Sequence, residues 1–315
     1  MTLFTDTKRI LRQNNIRPKK GLGQHFLVDE QVVNQIILAA ELSKDDVVLE
    51  IGAGIGVLTT QLVSLVSKVI AIEIDSSLIN ILHQELQVYN LVAGYNNVLV
   101  IKDDILKVNL TELFTDIQPV GFEVQNSGFA NPEPRTPNPE SLQHGKEKGK
   151  VKVIANLPYY IVTPVIAHLL QAKENFSTLI LMVQKEVGER ICATPGTKKY
   201  GALSVFVQYH SRIEMICQVS SECFSPQPKV DSVVLRLDIL DTPAVSVKDE
   251  QFFFKVVKAA FSKRRKMLIN AILDIGISKD ILVKVLGEAG VDPKRRGETL
   301  SLEEFGRLSD LLYKE

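Results

Sequence analysis

The sequence predicts an α/β fold: an open sheet interleaved with helices, followed by a small helical C-terminal domain. Three observations predict it. Short runs rich in β-branched residues, such as Asp46–Ile51, Lys68–Glu73 and Thr178–Val183, read as buried strands. Segments with apolar residues at helical spacing separate them, the alternation expected of strand–helix–strand units. From about residue 245 the strand patterns stop and only helical patterns follow.

Composition sets the bounds. The chain has 315 residues, 45% apolar and 23% charged, enough for one large domain and a smaller one. The formal net charge is zero, so a nucleic-acid partner has to be sought in local clusters. Cys192, Cys217 and Cys223 have no metal-ligand spacing, which argues against a disulfide framework or zinc site and leaves no metal expected. No apolar run is long enough to span a membrane and no secretory signal opens the chain. A cytoplasmic protein without membrane contact is expected.

Residues 1–27 read as a basic arm and a loop. Within residues 1–25, six bases (Lys8, Arg9, Arg12, Arg17, Lys19, Lys20) stand against the single acid Asp6, a local charge of +5. Such a terminus is either a frayed, solvated end or an arm that contacts phosphates. Gly21-Leu22-Gly23-Gln24-His25-Phe26-Leu27 forms a Gly-rich polar and aromatic loop. Asp29 is placed to cap a helix in which Val32, Val33, Ile36, Ile37 and Ala40 recur at helical spacing.

Asp46–Ile51 then runs into Gly52-Ala53-Gly54-Ile55-Gly56 and a helical pattern carrying Leu58, Leu62 and Leu65. Glycines such as Gly52 and Gly54 let the chain turn sharply and let a ligand lie against the backbone. The next strand ends at Glu73, 21 residues after Gly52, the spacing at which an acid binds ribose hydroxyls. The loop lacks the second spacing of the dinucleotide fingerprint, and Glu50 directly precedes it. Both features favour S-adenosylmethionine over a nicotinamide dinucleotide. After a helix with Leu78, Ile81, Leu82 and Leu86, a third strand over Asn97–Lys102 ends in Asp103 and Asp104. Asp104 is placed to hydrogen-bond an adenine amino group, with Ile105 covering the ring. The alternative is a simple turn or cap pair.

Residues 118–150 differ in texture, with Pro119, Pro132, Pro134, Pro137 and Pro139 and then Lys146, Lys148 and Lys150. Such a stretch buries too little apolar surface to order itself. It reads as a flexible insertion within a domain over residues 28–243, because the sheet resumes at Val151. Helices are expected over Val162–Leu170 and Gln184–Arg190, a helix or strand over Leu203–Tyr209, and strands over Ile213–Val219 and Val233–Leu237. Between the last two lies Phe224-Ser225-Pro226-Gln227-Pro228-Lys229-Val230-Asp231-Ser232, a loop stiffened by two prolines. It presents Phe224 either as an aromatic plate against a base or as ordinary core. Residues 244–315 read as the helical domain. Its runs Lys263-Arg264-Arg265-Lys266 and Lys294-Arg295-Arg296 are solvated helix ends or an RNA-facing surface.

The chemistry concentrates in Val153-Ile154-Ala155-Asn156-Leu157-Pro158-Tyr159-Tyr160. A buried strand ends at Asn156, and Pro158 forbids further pairing. A polar amide, a rigid turn and two rings therefore share the C-terminal edge of a sheet, where ligands bind in open α/β sheets. This suits methylation of an exocyclic amino group. The N6 of adenine is a weak nucleophile because its lone pair is delocalised into the ring. The Asn156 side-chain oxygen and the Leu157 or Pro158 carbonyl can accept its two protons and turn the lone pair toward a methyl donor. Tyr159 can stack on the extruded base. No titrating base is needed, so orientation and electrostatics carry the step. The competing reading makes Asn156 the cap of the next helix and the tyrosines core.

Taken together, these motifs resemble the small-subunit rRNA adenine N6-dimethyltransferase family, the KsgA/RsmA type. The resemblance rests on Gly23–Leu27, Glu50–Gly56, Glu73-Ile74-Asp75, Asp103-Asp104, Asn156–Ile161, Phe224–Ser232 and Phe261–Lys266, in family order over residues 18–310. It implies a Rossmann-like seven-stranded class I methyltransferase sheet with a C-terminal helical RNA-binding domain. It implies transfer of methyl groups from S-adenosylmethionine to two adjacent adenines near the 3′ end of small-subunit rRNA, within a pre-ribosomal particle, by a monomer. Cofactor contacts then fall on His25, Leu27, Gly52, Gly54, Glu73, Asp104, Ile105 and Asn156. Catalysis falls on Asn156, Leu157, Pro158, Tyr159 and Phe224. RNA contacts fall on Arg17, Lys19, Lys20, Lys263, Arg264, Arg265 and Lys266. The family more often carries Asn where His25 stands and Pro where Ala53 stands. Antibiotic-resistance methylases of large-subunit rRNA are the near alternative, and a non-catalytic RNA-binding factor of this fold is the distant one.

Overall fold

A computed structural model of the chain describes residues 2–115, 150–263 and 266–313. The expected insertion at 118–150 therefore lies, apart from Lys150, outside the described residues, as do Arg264 and Arg265. The described residues contain strands β1 (Phe26–Leu27), β2 (Val47–Ile51), β3 (Lys68–Glu73), β4 (Val98–Lys102), β5 (Val151–Asn156), β6 (Phe176–Gln184), β7 (Ser211–Val219), β8 (Phe224–Ser225) and β9 (Ser232–Ile239). Seven of them form one sheet in the order β4-β3-β2-β5-β6-β9-β7. The strands from β4 to β6 run parallel, and β9 is antiparallel to both β6 and β7. The seven-stranded α/β expectation therefore holds.

Alternation along each strand builds two cores. Leu49, Ile51, Ile70, Ile72, Val153 and Leu179 face one side, against Val165, Ile166 and Leu169 of α6 (Val162–Gln171). Val48, Val69, Ala71, Ile154 and Ile180 face the other, against Val32, Val33 and Ile36 of α2 (Glu30–Ala39) and Leu82 of α4 (Ser76–Ala93). A strand shifted by one residue would exchange the two sets, so burial on both faces fixes the register.

Pairing of β2 with both β3 and β5 places the reversal of strand order between β2 and β5. Crossovers leave that point in opposite directions and open a crevice at the C-terminal strand ends. Gly52 follows β2 and Asn156 ends β5, so both sit at this crevice.

Three elements differ from the sequence reading. The basic terminus is α1 (Leu3–Gln13), begun by a Thr2–Thr5 capping box. Its Leu11 packs with Phe26, Ile55, Leu78 and Ile81, which leaves Lys8, Arg9 and Arg12 on the outer surface. The helix after Gly56 shrinks to α3 (Thr59–Leu62), four residues long. The segments at 26–27 and 224–225 pair as a two-stranded antiparallel sheet, Phe26 opposite Ser225 and Leu27 opposite Phe224. Leu203–Tyr209, left open between helix and strand, is helical and lies within α8 (Ala202–His210). Between α6 and α8 in the chain lies α7 (Lys185–Ile191), and α5 (Leu110–Thr115) precedes β5.

The C-terminal helices are α9 (Glu250–Ser262), α10 (Leu268–Ile272), α11 (Lys279–Glu288) and α12 (Leu302–Leu312). Phe253, Leu268, Leu286 and Phe305 form their core, and Tyr200, Val205 and Tyr209 from in and beside α8 join it. No helix among the described residues is long and apolar enough to cross a membrane.

Candidate active site

A cleft opens over the C-terminal ends of β2, β3, β4 and β5. Its lining includes His25, Leu27, Gly52, Gly54, Glu73, Asp104, Ile105, Asn156, Leu157, Pro158 and Tyr159. The structure thus brings together the sequence-predicted site residues from five separate stretches. Among the expected catalytic and cofactor residues Phe224 is the exception, and the expected RNA contacts lie outside the cleft as well.

On one side of the cleft the backbone turns through left-handed glycines. Gly54 has φ +59°, a region costly for a residue with a side chain, and its N–H donates to Glu73 Oε2 at 2.9 Å. Glu73 Oε1 accepts from the backbone N–H groups of Ile74 and Asp75, both at 2.9 Å. Burial pushes the Glu73 carboxyl upward, and these three donors oppose the shift. A carboxylate has about four acceptor positions, so these three donors leave one, on Oε2, for a ribose hydroxyl.

Beneath the loop, Glu50 is 2% exposed and accepts from Thr59 Oγ1 at 2.6 Å. Burial, reinforced by the charge of Glu73, pushes its carboxyl up to about 8. Asp104 accepts from the Leu106 N–H at 3.1 Å, and Ile105 is buried beside it.

A network that the sequence reading did not assign closes this side. Asp75 accepts from Lys19 Nζ at 2.7 Å, Gln24 Nε2 at 2.8 Å and Ser77 Oγ at 2.6 Å. Burial works against ionisation of Asp75. The Lys19 ammonium, with Ser77 and Gln24, outweighs it and holds the carboxyl at about 2. Asp75 also caps α4 through the Ser77 N–H. The signal was legible in part: an acid just before a helical run is a cap candidate, but nothing local announces partners more than fifty residues away. Lys19 is therefore paired with Asp75, yet its side chain is 53% exposed and its ammonium keeps further N–H donors. Lys263 is likewise paired, with Asp274 at 2.7 Å. Arg17 and Lys266 are exposed.

The other side is the turn after β5. Asn156 Nδ2 donates to the His25 carbonyl at 3.2 Å. This identifies the donor end of the amide and leaves Oδ1 as its acceptor end. The competing reading of Asn156 as a helix cap fails: the residue before α6 is Ile161, and no side chain caps that helix. The Pro158 carbonyl accepts from Ile161 N–H at 3.1 Å, which closes the turn. Tyr159 is half-buried, with its hydroxyl 2.9 Å from Ser232 Oγ. Its ring stacks on that of His25, centroids 5.6 Å apart and planes 23° apart. Tyr160, to which no role was given, lines the cleft mouth with 57% exposure.

Phe224 requires a correction. It is 3% exposed and packs in the sheet core with Leu27, Val219 and Val234, outside the cleft lining. Pairing of β8 with β1 turns its side chain inward, so it is core rather than a second aromatic plate. A two-residue pairing partner two hundred positions away leaves no periodic signal in the sequence.

Comparison with known proteins agrees with the geometry. A curated relative from Clostridium botulinum, named ribosomal RNA small subunit methyltransferase A, is 44% identical over 98% of this chain and 98% of its own. Another of that name from Clostridium acetobutylicum is 44% identical over 98% and 99%. Among solved structures, a dimethyladenosine transferase from Plasmodium falciparum is 27% identical, with TM-score 0.69 over 90% of this chain and 96% of that one. The 23S rRNA methyltransferase ErmE, 24% identical, shares the fold with TM-score 0.61 over 91% and 99%. The family model described as ribosomal RNA adenine dimethylase matches residues 15–314, from before the Gly-rich loop to the last helix. A match of that extent settles kinship: this chain belongs to the ribosomal RNA adenine dimethylase family, whose members are S-adenosylmethionine-dependent enzymes.

Proposed function

We propose that this enzyme transfers methyl groups from S-adenosylmethionine to N6 of two adjacent adenines near the 3′ end of small-subunit rRNA, acting in the cytoplasm as a monomer on a pre-ribosomal particle. The observation that carries the reading is the Asn156 turn. At the topological switch of the sheet, Asn156 Nδ2 is held by the His25 carbonyl and Tyr159 stands beside it.

The residues present fit the cofactor. Gly52 and Gly54, both with positive φ, shape a wall free of side chains, and Glu73 stands where ribose hydroxyls need an acceptor. Asp104 and Ile105 supply a polar edge and an apolar face for the adenine of the cofactor. When bound, S-adenosylmethionine supplies an electrophilic methyl. Asn156 Oδ1 and a turn carbonyl then accept hydrogen bonds from the N6–H groups of the target base, which gives up one proton to water as each methyl is added. Those hydrogen bonds withdraw the lone pair from the ring and hold it toward the donor. Tyr159 holds the flipped base by stacking. Arg17, Lys19, Lys20, Lys263, Arg264, Arg265 and Lys266 are proposed to contact phosphates, Lys19 and Lys263 through the ammonium donors that Asp75 and Asp274 leave open.

The large-subunit reading is the neighbour. The clostridial relatives, more similar than ErmE and named for the small subunit, favour the small-subunit reading. The decisive experiment is transfer of tritiated methyl from labelled cofactor to under-methylated small subunits, with mapping of the modified bases. Label on large-subunit RNA alone, or none on either, defeats the proposal.

A further inference from the structure

Among the described side chains, three phenyl or phenol rings are exposed, those of Phe4, Tyr160 and Tyr313. Two of them have a neighbour over the ring. Lys8 Nζ lies 4.0 Å from the centre of Phe4, and Phe252 meets Tyr313 with centroids 5.5 Å apart. Tyr160 has no ring or cation over it among the described residues. It is 57% exposed, and it alone of the three lines the cleft. A single exposed apolar side chain is ordinary on a protein surface. An uncovered ring at the mouth of a site for an adenine has a ready partner, because every base carries a π-face.

The turn after β5 fixes where this ring stands. Tyr159 and Tyr160 are its two central residues, between the Pro158 carbonyl and the Ile161 N–H that donates to it at 3.1 Å. Their rings part company there. Tyr159 points inward, its hydroxyl 2.9 Å from Ser232 Oγ, whereas Tyr160 stands at the rim. Beside Tyr160 runs Gly23, in the left-handed region at φ +58°, and even a methyl group built there would lie 3.4 Å from Tyr160 Cδ1. The ring thus lies along bare backbone, and α6 begins at Val162 directly behind the turn. It is held in place by its surroundings and still open to solvent.

We infer that Tyr160 is a stacking platform for the nucleotide next to the target adenine, at the rim of the cleft that receives the target itself. The inference rests on the proposed reading of this cleft as the site of an extruded adenine. Taking that base out of its stack strips its neighbour of a partner, a cost the enzyme has to meet. A ring already ordered at the rim replaces the lost partner without the entropy of immobilising a side chain on binding. A strand has direction, so one ring on one side of the mouth serves either the 5′ or the 3′ neighbour. Loss of the ring should therefore appear in RNA capture and leave cofactor affinity alone.

The test uses full-length Tyr160→Ala, Tyr160→Phe and Tyr160→Trp. Cofactor Kd is measured by calorimetry. RNA KM is measured by methyl transfer to one mapped adenine in small subunits reconstituted on unmodified rRNA. Tyr160→Ala is expected to raise RNA KM about five- to thirtyfold, the lower part of the range for one base stacked on an aromatic ring. Cofactor Kd should stay within about twofold. Tyr160→Phe keeps the ring and should recover most of the loss. In a second set of subunits the base is removed from the 5′ or the 3′ neighbour of that adenine. On one of the two, the wild type should lose the same factor and Tyr160→Ala should lose nothing further. An unchanged KM in Tyr160→Ala overturns the inference. So does a cofactor Kd that rises with KM, which would make the ring a support of the Gly23 loop. Failure of Tyr160→Phe to recover, or a full Tyr160→Ala loss on both abasic substrates, overturns it too. A direct probe is independent of turnover. The chain contains no tryptophan, so Tyr160→Trp is a single reporter. Its emission should be quenched by a short single-stranded RNA with two adjacent adenines, and unchanged emission while the labelled RNA binds refutes the contact. If the wild type transfers no methyl to RNA, the proposed function fails, and the emission still decides the stacking.

Discussion

Asn156→Ala separates orientation of the reacting amine from ordinary structural support. The side chain makes one hydrogen bond to the protein, to the His25 carbonyl at 3.2 Å. At that length, and half-exposed, its loss should cost about 0.5–1.5 kcal/mol of stability. It caps no helix, so no capping penalty is added. The catalytic cost is expected to be larger. An oriented acceptor on the reacting group is worth about 2.7–4 kcal/mol in the transition state, roughly a hundred- to a thousandfold in rate. Urea unfolding should give the small number and single-turnover transfer at saturating RNA and cofactor the large one. Tyr159→Ala provides the contrast: base stacking is worth about 1–3 kcal/mol, and its loss should fall on RNA binding more than on the bound rate. A folded Asn156→Ala enzyme with the wild-type single-turnover rate would sink the orientation argument.

Other substitutions test other parts of the molecule. Phe224→Ala should lower stability by about 3–5 kcal/mol, because the ring is core, and a selective loss of RNA binding at unchanged urea midpoint would contradict that placement. Glu50 has its folded carboxyl raised from 4.5 to about 8, so the folded state holds this proton longer than the unfolded chain. Its contribution is therefore full below the unfolded value and is lost as pH rises through the folded one, at about 1.4 kcal/mol per pH unit between them. Glu50→Gln should remove that slope, its stability advantage growing over this window and levelling above it; parallel pH profiles for both proteins would refute the assignment. Lys19→Gln should weaken cofactor binding through the Asp75 network, whereas Arg17→Gln should reduce the salt dependence of RNA binding. Identical effects of the two in calorimetry and in salt titration would show that the Asp75 pair does not matter.

Legibility followed the range of the interactions. Strands buried on both faces carry their own signal, and Lys68–Glu73 and the resumption of the sheet at Val151 were readable residue by residue. Strand ends were readable too, because Gly52, Glu73, Asp104 and Asn156 are each local punctuation at the same sheet edge. What escaped depends on distant partners. The direction of Phe224 is set by pairing with Leu27, and the charge of Lys19 is committed by Asp75, fifty-six positions on. The helix over residues 3–13 was hard to read because its buried face is only Thr7 and Leu11, one turn apart, and Leu11 finds its partners in the distant Phe26 and Ile55. Whether a side chain turns toward a cleft or a core is decided by such pairings, which periodicity does not encode.

The small β1–β8 sheet bears on the order in which the chain can complete itself. The loop around His25 is synthesised some two hundred residues before its strand partner at Phe224 and its ring partner Pro226. Every strand of the main sheet except β9 is made before that partner exists. Contacts of such long sequence separation form late, because the intervening chain has to be ordered first. The cleft wall formed by this loop is therefore completed only after most of the main sheet has been made. A nascent chain halted before residue 224 can build most of the sheet while its opening loop waits for a strand not yet translated.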